Sequence, residues 1–115
     1  MINLIKKQFE NQNYINIETF RVNGQGVKTP VWFVQDDGSL YVRTAEGSGK
    51  VKRINKNRHI LVAPCKMDGT PVNEWLPAQA VELRDPDVDK KVDHLLKSKY
   101  GFQNMIFTLN AKLKG

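Results

Sequence analysis

Residues 41–60 read YVRTAEGSGKVKRINKNRHI, and the backbone changes character three times along them. Leu40 and Val42 alternate with Tyr41 and Arg43, the period of a strand. Gly47-Ser48-Gly49 then makes a turn. Gly49 to Asn57 predicts a short basic helix, and the chain leaves it as another apolar strand from His59. Six basic residues (Arg43, Lys50, Lys52, Arg53, Lys56 and Arg58) stand here against one acid, Glu46. A small turn at a helix start leaves backbone N–H groups free at the positive end of the helix dipole. Basic side chains beside it predict an anion site, most simply for a phosphate.

Before this stretch, Met1 to Glu10 predicts a short helix or arm, and Tyr14 to Val22 a strand with Ile15, Ile17, Thr19 and Arg21 on one face. Asn23-Gly24-Gln25-Gly26 is a hairpin signal. Val27 to Gln35 predicts one further strand, in which Pro30 marks an edge or a bulge. Asp36-Asp37-Gly38-Ser39 is a tight turn before the Leu40–Thr44 strand. After the basic helix, His59 to Met67 is apolar enough for burial on both sides. A turn at 68–71 leads to a strand over Pro77 to Arg84. Asp85-Pro86 then opens a helix, with Asp85 as cap and Pro86 first inside, and Gly101 stops it. Phe102, Met105, Ile106, Leu109 and Leu113 recur at three- and four-residue spacings and predict a second, terminal helix.

A chain of 115 residues predicts one domain with one core. No apolar run approaches the roughly 20 residues that span a bilayer. The start of the chain lacks the apolar segment of a secretory signal. The single Cys65 has no partner for an internal disulfide, which fits a reducing, cytoplasmic setting. A net charge of +6 predicts an anionic partner. Nucleic acid is disfavoured, because only Tyr41 supplies an aromatic near the basic cluster. Five strands, a helix inserted between them and helices at the end predict a mainly β barrel with α-helical caps.

Laid out in order, several pieces resemble the pyridoxamine 5′-phosphate oxidase-like, flavin/deazaflavin-binding split-barrel family, and most closely its small deazaflavin (coenzyme F-420) members. They are Thr19-Phe20-Arg21, Thr29-Pro30-Val31-Trp32-Phe33, Leu40 to Thr44, Ser48 to Arg53, Val62 to Cys65, and Lys99-Tyr100-Gly101. The resemblance covers Tyr14 to the C-terminus. It implies an FMN-binding split β-barrel of about six strands that forms a homodimer, with cofactor grooves between the subunits. It also implies an oxidoreductase using coenzyme F-420 or FMN on a small-molecule substrate. In the family's oxidases a strand-end Thr and a Ser-x-Lys turn hold the phosphate, which places Thr44, Ser48 and Lys50 in that role. The family's Arg between Ser and Lys is Gly49 here. The loss of that donor predicts weaker binding of FMN than of the deazaflavin coenzyme, whose long anionic tail reaches toward Lys52 and Lys56. The strand from Thr29 through Pro30 and Val31 to Trp32 would lie along the ring, and Arg43 joins the basic set around the phosphate.

Helix geometry orders the cations. At 100° per residue Val51 and Ile54 share the inward side, Lys50 and Arg53 flank it, and Lys52 and Lys56 point away. Lys50 and Arg53 are therefore the first candidates. Trp32 suits a core or interface position as well as ring stacking. Trp75 and Tyr100 suit packing, a dimer contact or a site wall. Cys65 reads as a small core residue, and His59 and His94 show no metal spacing. No catalytic side chain stands out, in keeping with hydride chemistry supplied by a cofactor. The alternative is a non-catalytic split barrel that carries a flavin-like or tetrapyrrole ligand.

Overall fold

The computed structural model describes residues 8–45, 47–101 and 109–114. Seven strands form one antiparallel sheet: β1 (Tyr14–Phe20), β2 (Gly26–Val31), β3 (Val34–Asp36), β4 (Ser39–Thr44), β5 (His59–Cys65), β6 (Leu76–Leu83) and β7 (Leu109–Lys114). Their spatial order is β2-β1-β5-β6-β7-β4-β3. Two helices complete the described structure, α1 (Gly49–Lys56) and α2 (Pro86–Tyr100).

The turns follow their residues. β3 and β4 are joined at Asp37 and Gly38, both at positive φ (50° and 78°). That pair of angles belongs to the two-residue turn whose twist matches a hairpin, and it needs Gly or a short polar residue. At the first hairpin Asn23 Oδ1 accepts the Gln25 N–H at 3.0 Å. Asp85 caps α2 by accepting the Asp87 N–H, with Pro86 first inside the helix and Gly101 at its end.

The strand expected over Val27 to Gln35 is two strands. β2 pairs with β1, and β3 pairs with β4. These are the two edges of the sheet, yet only Trp32 and Phe33 separate them. Three residue steps span at most about 11 Å. The sheet must therefore curl until its edges nearly meet, closing a barrel with a seam between β2 and β3. Pro30 lies on the edge strand β2, where a missing N–H is tolerated.

The seam leaves the Phe33 backbone outside either ladder, and side chains from the end of α2 take its hydrogen bonds. The Tyr100 hydroxyl accepts from Phe33 N–H at 3.1 Å. Its single proton is shared between the carbonyls of Phe33 and Asn13, at 2.9 and 2.8 Å. Lys99 Nζ also donates to the Phe33 carbonyl at 2.9 Å. Trp32 stacks flat on Tyr100, with ring centroids 4.3 Å apart and planes 4° from parallel. The Phe33 ring points inward and is fully buried.

The expected terminal helix is corrected. Residues 102–108 lie outside the described residues, and Leu109–Lys114 is β7, held between β6 and β4. The spacing of Leu109 and Leu113 misled because four residues satisfies both a helical turn and two strand periods. The helix or arm expected over Met1 to Glu10 lies mostly outside the described residues; Gln8 and Phe9 are helical.

Phe9, Ile15, Ile17, Phe33, Leu40, Val42, Ile60, Val62 and Leu113 fill the barrel, closed on one side by Ile54 of α1. Helix α2 packs on the outer face, placing Val92 and Leu96 against Val34 and Tyr41. β4 is thus buried on both faces, with Leu40 and Val42 inward and Tyr41 under α2.

Candidate functional site

Helix α1 begins where β4 ends, and the sequence GSGKVKR sets the geometry of that junction. Ser48 is extended (φ −65°, ψ 158°), and its hydroxyl accepts the Val51 N–H at 3.3 Å. Thr44 at the end of β4 brings its Oγ1 to 3.4 Å from Ser48 Oγ. Val51 and Ile54 face the core, so Lys50 and Arg53 are held along the border between helix and sheet. Arg53 Nε donates to Thr19 Oγ1 of β1 at 2.6 Å. Thr19 is only 1% exposed. Burial lowers the pKa of Lys50, and the nearby Arg53 guanidinium lowers it further. Among the described residues no carboxylate pairs with either cation, and the first turn of α1 holds no acid. The junction therefore gathers two hydroxyls, a helix start and two mutually repelling cations, which suits an anion that takes hydrogen bonds from several sides.

Position 49 has a specific neighbour. A Cβ built on Gly49 would lie 2.8 Å from Arg53 Nη1. The Arg53 guanidinium thus occupies the space that a side chain at 49 would enter. Arg53 sets a guanidinium beside the turn that lacks the family's Arg at position 49.

The other candidates lie elsewhere. Arg43 is one residue from Thr44 but on the opposite face of β4, with a side chain 7% exposed. It is bound to Asp89 at 2.6 Å and Asp93 at 3.1 Å on α2. It therefore fastens α2 to the sheet and does not join the cation pair. Lys52 is exposed on the outer side of α1. Thr29, Pro30 and Val31 lie opposite Ile17, Asn16 and Ile15 on edge strand β2, with Val31 packed on the core and Trp32 stacked at the seam. Since Thr19 pairs with Val27, the cation pair and the start of β2 share one end of the β1–β2 ladder. Sequence reasoning missed Thr19 as a site residue. Its signals were a hydroxyl in the inward row of Ile15 and Ile17 and its place in the resembling piece Thr19-Phe20-Arg21.

Trp75 is half-buried, with Lys28 Nζ 5.3 Å above its ring. Cys65 is buried, and burial raises its pKa, as for an unreactive core thiol. No group of metal-ligating side chains occurs among the described residues. A cavity of about 500 Å³ between α2 and the Asn11–Asn13 loop is lined by Gln35, Ser98 and Lys99. It lies apart from the α1 turn.

No family sequence profile and no curated protein sequence matches the chain. Solved structures do match. A protein from Listeria innocua assigned as a pyridoxamine 5′-phosphate oxidase superposes with a TM-score of 0.73 at 13% identity, over 97% of this chain and 90% of the other. The fold is the split barrel of pyridoxamine 5′-phosphate oxidase-like proteins. The heme storage protein HutZ from Vibrio cholerae shares the split barrel with a TM-score of 0.73 at 14% identity, over 98% and 89% of the two chains. An F-420 reductase matches at 0.68 and 16% identity, over 95% and 90%. One split barrel thus serves neighbours whose names point to different ligands, so the choice among ligands falls to the site residues. No described helix is long and apolar enough to cross a membrane.

Proposed function

We propose that this split barrel binds a flavin-type cofactor, FMN or the deazaflavin coenzyme F-420, and uses it to transfer hydride to or from a small-molecule substrate. The observation that carries the reading is the Lys50–Arg53 pair at the capped start of α1, two cations brought together without a carboxylate among the described residues. A phosphoryl group at that point would relieve their repulsion and accept from Ser48, Thr44 and the free N–H groups of the first turn.

Lys50, Arg53, Ser48, Gly49 and Thr44 would hold the phosphate. Thr29, Pro30, Val31 and Trp32 would offer the edge of β2 to the ring. Lys52 is left for an anionic tail. The bound cofactor supplies the hydride chemistry, and the chain supplies the anchor, the orientation and a dry face. The barrel interior is filled by side chains, so a tricyclic ring would lie against its outside. A second copy of the chain would close that groove, which makes the working unit a homodimer.

The experiment is the absorbance spectrum of purified protein, then titration with FMN and with coenzyme F-420, then reduction of each bound cofactor and its reoxidation by candidate substrates. A saturable flavin or deazaflavin complex supports the reading. The neighbour named for heme storage favours a second reading, a tetrapyrrole carrier. A Soret band with no flavin binding would establish that reading in place of the first.

A further inference from the structure

We infer that Arg53, positioned by Thr19 and given room by Gly49, is the guanidinium that grips the phosphoryl group. This rests on the phosphate site proposed above and assigns its parts. Arg53 starts one turn into α1, yet its Nε is tied to Thr19 Oγ1 at 2.6 Å, on a buried strand residue. With Nε engaged, the two Nη groups remain to donate. Nη1 lies 2.8 Å from the point where a Cβ at position 49 would stand, so the guanidinium lies directly over the first helical residue. That is where the free N–H groups of the helix start emerge. Lys50 lies close enough for the charge of Arg53 to be felt. The three donors converge only because position 49 has no side chain. Thr19 is too buried to meet a ligand and acts through Arg53, as a positioning residue. A methyl at 49 would be accommodated by swinging the tip of Arg53 aside, which leaves the fold intact but breaks the hold of Thr19.

The test uses the full chain with Gly49→Ala, Thr19→Val and the double variant. Dissociation constants for FMN and for riboflavin are read from flavin fluorescence. The NMR signal of the Arg53 Nε–H group is followed as inorganic phosphate is added, and thermal melting monitors the fold. Gly49→Ala should melt within a few degrees of the parent, because the helix preference for Ala over Gly offsets the loss of the Thr19 bond. It should nevertheless lose about tenfold in affinity for FMN, the scale of one hydrogen bond to a charged group. Riboflavin, which lacks the phosphate, should be unaffected. Thr19→Val should weaken FMN binding in the same sense, and the double variant should lose little more than either alone, since both changes act through Arg53. Phosphate should shift the Arg53 signal in the parent and not in Gly49→Ala.

If Gly49→Ala binds FMN as tightly as the parent while Lys50→Ala does not, the flavin reading stands and the role given to Arg53 is overturned. If the parent binds no flavin but phosphate shifts Arg53, the flavin reading fails and the anchor stands. If neither ligand reaches Arg53, both are overturned.

Discussion

Lys50 and Lys56 carry the same charge on the same short helix, but only Lys50 is partly buried beside a second cation. A diffuse basic field would treat them alike, whereas a built phosphate site would not. Lys50→Ala should weaken FMN binding by about 10- to 100-fold, the equivalent of ~1.5–3 kcal/mol for a charge-assisted bond. Lys56→Ala should change it by less than about threefold at physiological salt, where exposed charges are screened. Calorimetry at two salt concentrations checks this, and equal, salt-sensitive losses would reduce the turn to a basic patch. Arg43 gives the converse case. Arg43→Met should lower stability by about 1 kcal/mol in urea unfolding, since it removes the bonds from the buried guanidinium to the partly exposed Asp89 and Asp93 while Asp93 keeps Lys97. FMN affinity should stay within about twofold. At this scale the sequence showed which residue types gather at 44–53, because helical phase is fixed by spacing. It did not show that Arg43 faces α2 or that Arg53 reaches Thr19, because both depend on partners 34 or more positions away.

Among the elements, the seam between β2 and β3 is held by the last two residues of α2. Tyr100→Phe removes the acceptor for Phe33 N–H and the donor shared with Asn13. It should cost about 1–3 kcal/mol, chiefly for stranding the Phe33 N–H, since the Phe33 carbonyl keeps Lys99 and Asn13 is exposed; urea unfolding measures it. The same pair gives the fold a pH signature. Burial lowers the Lys99 pKa from 10.5 to about 8. Between those values the unfolded chain holds more protons than the folded one, so stability rises with pH across that window. Burial raises the Tyr100 pKa from 10.0 to about 12. There the folded chain holds the extra proton, so stability falls from about pH 10 to 12. Melting temperatures from pH 7 to 11 should climb and then turn over, and Lys99→Met should abolish the climb. The helices α1 and α2 were legible because caps and stop signals are local: Ser48, Asp85, Pro86 and Gly101 stand where expected. The seam was not legible, because an unbroken apolar run through Val31, Trp32, Phe33 and Val34 hides a change of partner. The strand β7 was hidden by a spacing that fits two periods, and its place between β4 and β6 settles it.

For the whole molecule, the resemblance in scattered short pieces proved sufficient for the fold, which these solved neighbours share at 13–16% identity. It does not extend to the ligand, because one split barrel carries differently named proteins. On the proposed reading a ring lies outside the filled barrel and is enclosed by two chains. Light scattering at micromolar concentration should therefore report a dimer, and a stable monomer that still binds flavin tightly would contradict the shared groove. The central claim is that the start of α1 anchors a cofactor through its phosphate. Its most direct measurement is a paired titration of the native protein with FMN and riboflavin at physiological salt. The two ligands share one ring and differ at the phosphate. FMN binding at least about tenfold tighter than riboflavin is the predicted result, one charge-assisted contact or more. Equal affinity for the two would contradict it.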